Sequence, residues 1–174
     1  MERSLHFSDQ FVISCGTVSL NLHQAKVLLI RWRKTGEVFL PKGRKNIGET
    51  LHDAATRETF EETGFQVTCL PLPITTLATS PVSSEIDTSS QATTEPVAVS
   101  QRVTNNQLKI IYWFAATGDS EAVPELGTQQ TGEDFEAIWT GIGHVGEVLT
   151  FDDDKQIAQA VIHAASHLIN MKVR

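Results

Sequence analysis

The most informative stretch of this chain reads GRKNIGETLHDAATRETFEETGF and runs from Gly43 to Phe65. Its second half has the pattern of a helix, in which residues three or four positions apart lie on one face. Glu58, Glu61 and Glu62 are therefore expected on a single side of that helix. Carboxylates this close repel one another unless a cation lies among them. Because their ligand atoms are all oxygens, Mg²⁺ or Mn²⁺ suits the cluster better than zinc, which favours chemistry on phosphates.

The order of glycines and charges in this stretch resembles the signature of the Nudix hydrolases. That signature is a glycine, five residues, a glutamate, seven residues and then Arg-Glu-x-x-Glu-Glu-x-Gly before a hydrophobic residue. The matching positions here are Gly43, Glu49, Arg57, Glu58, Glu61, Glu62, Gly64 and Phe65. Thr59 stands where the family usually has an aliphatic residue. Because threonine has the shape of valine, we expect a packing adjustment there and no loss of chemistry.

The resemblance implies a pyrophosphohydrolase that uses a divalent cation, Mg²⁺ or Mn²⁺. The cation is expected to bind the helix carboxylates and a backbone carbonyl of the preceding loop, that is Glu58, Glu61, Glu62 and Gly43. The predicted catalytic residues are Glu49, Arg57, Glu58 and Glu61. The general base stays open between a motif glutamate and an acid of a later loop, which also offers extra metal ligands: Glu58, Glu61, Glu133, Asp134 and Glu136.

Arg57 is expected to organise this site from within. Its planar guanidinium can hold Glu49 and a neighbouring carboxylate at the same time, which fixes the loop against the helix. A lysine at position 57 is therefore expected to impair turnover, although it keeps the charge.

The composition narrows the class of protein. The chain has 174 residues, 40% of them hydrophobic, and a formal charge of −7, as expected of one globular domain with a substantial core. An acidic chain without a basic stripe is not expected to bind nucleic acid in bulk. No apolar run suggests a membrane span or a signal region, and the two cysteines lack metal-ligand spacing. We expect a cytoplasmic location, with a nuclear one as the alternative, and the oligomeric state stays open.

The hydrophobic pattern predicts a mixed sheet between helices. Strands are expected at residues 11–22, 26–32, 38–40, 65–70, 108–116 and 135–140, and helices at 49–63 and 152–171. Strands around two helices indicate a single α/β domain over residues 1–174, with the α/β/α sandwich expected of the Nudix fold. Residues 78–106 are rich in Ser, Thr, Pro and Val and poor in aromatic residues, which predicts a flexible insertion.

A group of cations surrounds the entry to the motif and predicts an anionic substrate. The substrate-binding residues expected from it are Lys42, Arg31, Arg33, Arg44 and Lys45. Such a local concentration of positive charge in an acidic protein favours a polyphosphate. The run Leu-Pro-Lys-Gly that contains Lys42 is similar to that of Nudix enzymes in which a lysine faces the phosphate chain.

Two substrate classes follow from this resemblance. The first is dinucleoside polyphosphates such as diadenosine tetraphosphate, and the second is diphosphoinositol polyphosphates. Tyr112 is the chain's one tyrosine and does not match the downstream tyrosine of many dinucleoside tetraphosphate hydrolases, which keeps the second class open. Further alternatives are an ADP-sugar or capped-RNA pyrophosphatase and a non-catalytic sensor of a phosphate ligand.

Overall fold

The computed structural model describes residues 4–79 and 92–172. Within these ranges the chain forms eight strands and three helices. The strands are β1 (Phe11–Asn21), β2 (Lys26–Trp32), β3 (Val38–Phe39), β4 (Lys42–Arg44), β5 (Val67–Cys69), β6 (Ala98–Thr104), β7 (Gln107–Gly118) and β8 (Phe135–Gly141). The helices are α1 (Leu51–Thr63), α2 (Val145–Val148) and α3 (Asp152–Lys172).

The described strands form one mixed sheet with β1 and β7 at its centre. Its main path runs β3-β2-β1-β7-β5, with β4 paired to β1, β6 to β7 and β8 to β2. β1 and β7 pair in parallel, whereas the other pairings of the described strands are antiparallel. Because both faces of these central strands are covered, β7 carries the nearly continuous apolar run LKIIYWFAA rather than an alternating pattern.

Each face of the sheet carries a helix, which makes the molecule an α/β/α sandwich. Val161 of α3 packs with Trp113 on one face. Ala55 of α1 packs with Phe114 on the other face. Trp113 and Phe114 are neighbours in β7 because side chains alternate along a strand. The fold class predicted from the sequence, a mixed sheet between helices, is confirmed.

The ends of α1 have clear causes in the sequence. Thr50 caps its start, where the threonine hydroxyl accepts a hydrogen bond from the backbone N–H of Asp53 at 3.1 Å. Gly64 ends it in the left-handed conformation, with φ of 74°, and donates to the carbonyl of Phe60. The helix therefore begins two residues later than predicted and ends where predicted. Among the described residues, no helix is long and apolar enough to cross a membrane.

The predicted insertion at 78–106 is wrong in its last part. Ala98–Thr104 form β6, which pairs with β7 as part of the sheet. Asn105 and Asn106 have positive φ values of 51° and 61°, as in a two-residue hairpin turn. Five of the seven side chains of β6 are exposed, and they mix polar residues with valines, which is why their composition suggested disorder. Residues 80–91, the middle of the predicted insertion, lie outside the described residues.

Candidate active site

The loop before α1 and the helix itself bring the predicted catalytic residues together. β4 pairs with β1 at the edge of the sheet, and the chain then continues into α1. Glu58 and Glu62 lie one helical turn apart on the buried side of α1, and each is only 4% exposed. Glu61 lies beside them with 27% of its side chain exposed.

Arg57 lies at the centre of this group and holds three carboxylates. Its Nε and Nη2 donate to the two carboxylate oxygens of Glu49, at 2.7 and 2.9 Å. Its Nη1 donates to Glu58 at 2.7 Å and to Glu61 at 3.0 Å. Nη2 also donates to the backbone carbonyl of Arg44 at 2.9 Å, which ties the helix to β4. The hydrogen bond from Arg57 lowers the pKa of Glu49. Arg57 thus contacts Glu49 and two helix carboxylates at once, while its part in catalysis stays a prediction.

Arg57→Lys is expected to lower kcat by about 10- to 100-fold, the range found when a partner that orients a ligand is lost. An ammonium group cannot reach Glu49, Glu58 and Glu61 at the same time as the guanidinium does. Steady-state turnover of Arg57→Lys and Arg57→Gln measures the effect. A lysine variant as active as the wild type would show that only the charge of Arg57 matters, and the glutamine variant gives the lower limit.

Glu58 packs directly against the backbone of Gly43. A β-carbon built at Gly43 would overlap the Glu58 carboxylate, so glycine alone leaves room for that carboxylate beside β4. Burial raises the pKa of Glu58, while the hydrogen bond from Arg57 lowers it. The charge of Glu58 therefore depends on Arg57.

Glu62 reaches the same loop from the next turn of the helix. Its Oε2 accepts a hydrogen bond from the backbone N–H of Lys42 at 2.7 Å. Burial raises the pKa of Glu62 to about 8, although the nearby charge of Lys42 opposes the shift. A buried carboxylate of this kind is ionised at neutral pH only if a further cation stabilises it.

The carboxylates of α1 are suitable ligands for a hard divalent cation, although they are not arranged around one metal position. Glu58, Glu61 and Glu62 offer oxygen ligands, the kind that Mg²⁺ and Mn²⁺ prefer. Across residues 4–79 and 92–172, no three Asp, Glu, His or Cys side chains surround one metal position. Arg57 lies between Glu58 and Glu61. A cation bound here would therefore share at least one carboxylate with Arg57.

Thr59, the departure from the family signature, is held by hydrogen bonds as well as by packing. Its hydroxyl donates to the carbonyl of Ala55 at 2.8 Å and lies 2.7 Å from the hydroxyl of Thr17. The Thr17 hydroxyl lies 2.7 Å from that of Ser19, and all three side chains are fully buried. The expected packing adjustment is thus only part of the account, because a chain of hydroxyls ties α1 to β1.

Thr59→Val restores the usual pattern of the family, yet we expect it to lower the free energy of unfolding by about 1 kcal/mol. The loss arises because the buried hydroxyl of Thr17 loses a partner. Urea unfolding at constant pH measures it. Adding Thr17→Val should cost less than the sum of the single changes, since both single variants lose the same Thr17–Thr59 hydrogen bond. Unchanged stability of Thr59→Val would contradict this account.

Two of the predicted substrate-binding cations form ion pairs with acids of the β8 region. Arg31 of β2 lies opposite Glu136 of β8, and its Nη1 donates to that carboxylate at 3.1 Å. Arg33 lies 3.3 Å from Asp134. All four side chains are about half exposed, so each pair is weak. The two ion pairs nevertheless offset part of the positive charge that the sequence predicted for substrate binding.

Glu133 is the loop acid that the structure brings to the carboxylate cluster. Its charge is among the causes that raise the pKa of Glu62. Its carboxylate accepts a hydrogen bond from the backbone N–H of Gln130 at 3.0 Å, and the side chain of Gln130 donates to Glu61 at 3.2 Å. The other two loop acids named from the sequence, Asp134 and Glu136, are engaged in ion pairs with Arg33 and Arg31.

An aromatic pocket of about 280 Å³ opens beside Lys42. Trp32 and Phe151 expose aromatic surface in its wall, whereas Phe39 and Trp113 are largely buried behind it. Three acids also line the pocket: Glu37, Asp153 and Asp154. Lys42 also lines the pocket, with its Nζ 4.9 Å from the centre of the Phe39 ring. Lys42 therefore joins two regions, since its backbone N–H binds the carboxylate of Glu62 and its side chain lines the pocket.

Arg102 and Lys109 are two cations at the site that the sequence did not single out. Arg102 lines the aromatic pocket from β6, and Lys109 is its direct partner on β7. Arg102 was missed because β6 was taken for part of an insertion. The dipeptide Asn105-Asn106 between two strand-like runs was the signal for a hairpin that would have revealed both cations.

The fold and the helix that carries the carboxylates define a hydrolase of phosphoanhydride bonds. A family model described as the NUDIX domain matches residues 13–161, which include the whole motif. The chain belongs to the Nudix family, and the pyrophosphohydrolase class predicted from the motif is confirmed. Enzymes of this family act on small phosphate substrates and generally use a divalent metal.

Solved structures share this fold at low sequence identity. A NUDIX hydrolase from Nitrosomonas europaea has a TM-score of 0.58 at 15% identity, over 89% of this chain and 90% of that one. An Ap4A hydrolase from C. elegans, solved as a binary complex, has a TM-score of 0.62 at 14% identity, over 90% and 98%. A NUDIX-family hydrolase from Clostridium perfringens has a TM-score of 0.57 at 20% identity, over 93% and 99%. No curated protein matches the sequence.

Proposed function

We propose that this enzyme hydrolyses a phosphoanhydride bond in dinucleoside polyphosphates such as diadenosine tetraphosphate, with Mg²⁺ or Mn²⁺ as cofactor. The observation that carries the proposal is the position of Lys42, between the carboxylates of α1 and the aromatic pocket. A polyphosphate that extends from a nucleoside in the pocket would meet those carboxylates next. The similarity to an Ap4A hydrolase supports the same substrate class.

The cofactor would be held by Glu58, Glu61 and Glu62, with the backbone carbonyl of Gly43 as a further ligand. When bound, a divalent cation neutralises phosphate oxygens and lowers the pKa of a water molecule that it binds.

The chain's own groups bind the substrate and move the proton. The ammonium of Lys42 offsets the charge of the polyphosphate, and Arg57 keeps the helix carboxylates in position. We assign the general base to Glu133, which lies beside the cluster, with Glu61 as the alternative. Glu136 is less suited, because its carboxylate is already paired with an arginine.

The walls of the pocket favour a nucleoside over an inositol ring. Stacking on an aromatic side chain contributes about 1–3 kcal/mol per base. A diphosphoinositol polyphosphate presents charged groups in every direction and gains little from surfaces such as Trp32 and Phe151. Arg31 and Arg33, which that ligand would need, are partly neutralised by acids.

Diphosphoinositol polyphosphates are the second candidate because of one observation. Burial lowers the pKa of Lys109, and the nearby charges of Lys42, Arg102 and Arg44 lower it further. Four neighbouring cations suit a ligand with many phosphates.

Product analysis in the presence of Mg²⁺ decides between these substrates. We expect faster cleavage of diadenosine tetraphosphate than of a diphosphoinositol pentakisphosphate, and no cleavage after EDTA removes the cation. Faster release of phosphate from the inositol would overturn the nucleotide assignment in favour of the second candidate. Cleavage of ADP-ribose or of a capped RNA fragment in place of both would assign one of the further alternatives. A chain that cuts none of them would be a sensor.

We also propose a cytoplasmic location for the enzyme. Cys15 and Cys69 are both free thiols, and burial raises the pKa of Cys15 to about 11. Unpaired thiols are usual in a reducing compartment. Fractionation of cells that produce the chain tests this location, and recovery of the protein in an oxidising compartment would contradict it.

A further inference from the structure

Three cations form a second, basic pocket next to the aromatic pocket. This basic pocket has a volume of about 380 Å³, and its lining includes Arg44 of β4, Arg102 of β6 and Lys109 of β7. Arg102 also lines the aromatic pocket, so the two pockets share a wall. A ligand that fills the aromatic pocket therefore has the basic pocket within its reach.

The register of the sheet explains why these cations meet. Arg102 and Lys109 are direct cross-strand partners, which places their β-carbons about 4.5–5.5 Å apart on one face. Lys109 is aligned with Val12 of β1, and Arg44 is aligned with Ser14. Because Val12 and Ser14 are two positions apart, Arg44 projects from the same face as Lys109.

This arrangement opposes folding unless an anion joins it. Like charges directly opposite each other in a sheet are destabilising. Burial, together with the charges of Lys42, Arg102 and Arg44, lowers the pKa of Lys109 to about 8. Within residues 4–79 and 92–172, Arg44, Arg102 and Lys109 form no ion pair with an acid. Asp154 interacts with the charge of Arg102, and Glu62 with that of Lys109, so the described acids offset this charge from a distance and only in part.

A buried hydroxyl on the same face is also without a partner. Ser14 is fully buried, and its Oγ makes no hydrogen bond with the described residues. It lies beside Arg44 in the register of β1 and β4. Ser14 is not part of the basic pocket's lining, so the cations of the pocket alone supply the chemistry that binds a phosphate group.

We propose that Arg44, Arg102 and Lys109 form a phosphate subsite that is separate from the carboxylates of α1. The subsite holds a phosphate group at the far end of the substrate's polyphosphate chain or, as the other source of the same chemistry, a free inorganic phosphate species. The first source rests on the proposed function, and it makes the enzyme selective for longer polyphosphate chains.

Calorimetric binding of inorganic tripolyphosphate to the metal-free full chain tests the subsite without turnover. We expect Arg102→Gln to weaken binding about tenfold or more, as for the loss of one hydrogen bond to a charged group. Lys26→Gln is the matched control, because it removes a cation that donates to Gln24, and it should bind as the wild type does. Arg102 is exposed, so the variant is expected to fold, and its Tm without anion should rise once the like-charge pair is gone. Equal affinity of Arg102→Gln and the wild type would overturn the proposal.

Kinetics then separate the two sources of the phosphate group. If the group belongs to the substrate, Arg102→Gln raises KM for diadenosine tetraphosphate more than for ADP-ribose, with kcat little changed, and tripolyphosphate inhibits competitively. Non-competitive inhibition would assign the subsite to a separate phosphate species. If no nucleotide is cut at all, the proposed function fails, while the calorimetric result still decides the subsite.

Discussion

Glu62→Gln is expected to reduce turnover by at least about 100-fold without making the metal-free fold less stable. The amide keeps the size of the side chain and an acceptor for the backbone N–H of Lys42. It has no negative charge to offer a cation. Loss of a partner that only orients a metal ligand costs about 10- to 100-fold, so loss of a ligand should reach the upper end of that range or exceed it.

The stability of this variant follows from the pKa of Glu62. Burial raises that pKa from its ordinary 4.5 to about 8, which means that folding favours the protonated form. The stability that this preference contributes is fully present below pH 4.5 and is lost as the pH rises through about 8. Glutamine is uncharged at every pH. As the pH rises from 4.5 to 8, the free energy of unfolding of the variant should therefore increase relative to that of the wild type.

Two measurements check both parts of the expectation. They are kcat with Mg²⁺ and urea unfolding in EDTA at pH 4.5 and pH 8. Glu121→Gln, at an exposed glutamate, is the matched control and should change neither quantity. Full activity in Glu62→Gln would exclude Glu62 from the cation site, and a parallel loss of stability and activity would assign it a structural role.

Gly43→Ala is expected to lower kcat by about 100-fold, because the new methyl group would overlap the carboxylate of Glu58. Either β4 or the side chain of Glu58 must move. A displacement of about 1 Å in a catalytic group is enough for a loss of this size. The overlapping atoms belong to the end of the Glu58 side chain, which can move, so the free energy of unfolding should fall by about 1 kcal/mol, the lower end of the range for overpacking.

Two further variants serve as controls for Gly43→Ala. Gly143→Ala adds the same methyl group where no atom lies within 4 Å, and it should behave as the wild type does. Combining Gly43→Ala with Glu58→Ala removes the overlap, so stability should recover while activity does not. Normal turnover in Gly43→Ala would show that the position of Glu58 is unimportant.

The elements that the sequence predicted best are those with a strong local pattern. α1 differs from the predicted helix only at its start, because Thr50 caps the helix and the first helical residue is Leu51 rather than Glu49. β7 was found from its apolar run, which is typical of a strand buried on both faces. β6 was missed because an exposed edge strand has no apolar face, and only its pairing with β7 makes it a strand.

Contacts between distant residues were harder to predict than the elements themselves. The partner of Thr59 is Thr17, which lies on another strand, so shape alone suggested a valine-like role. Arg31 was predicted to face the substrate, yet the register of β2 and β8 places it opposite Glu136. Such pairs depend on strand order, which a single sequence states only weakly.

The sequence by itself determined the family, the class of reaction and the carboxylates of α1. It did so because helix geometry relates Arg57 to Glu58 and Glu61 over one turn, and the loop with Gly43 and Glu49 directly precedes that helix. Only the tertiary structure decided which walls and cations surround the substrate. The aromatic pocket and the basic pocket draw their residues from strands far apart in the chain, and these residues become neighbours only through the pairing of the sheet.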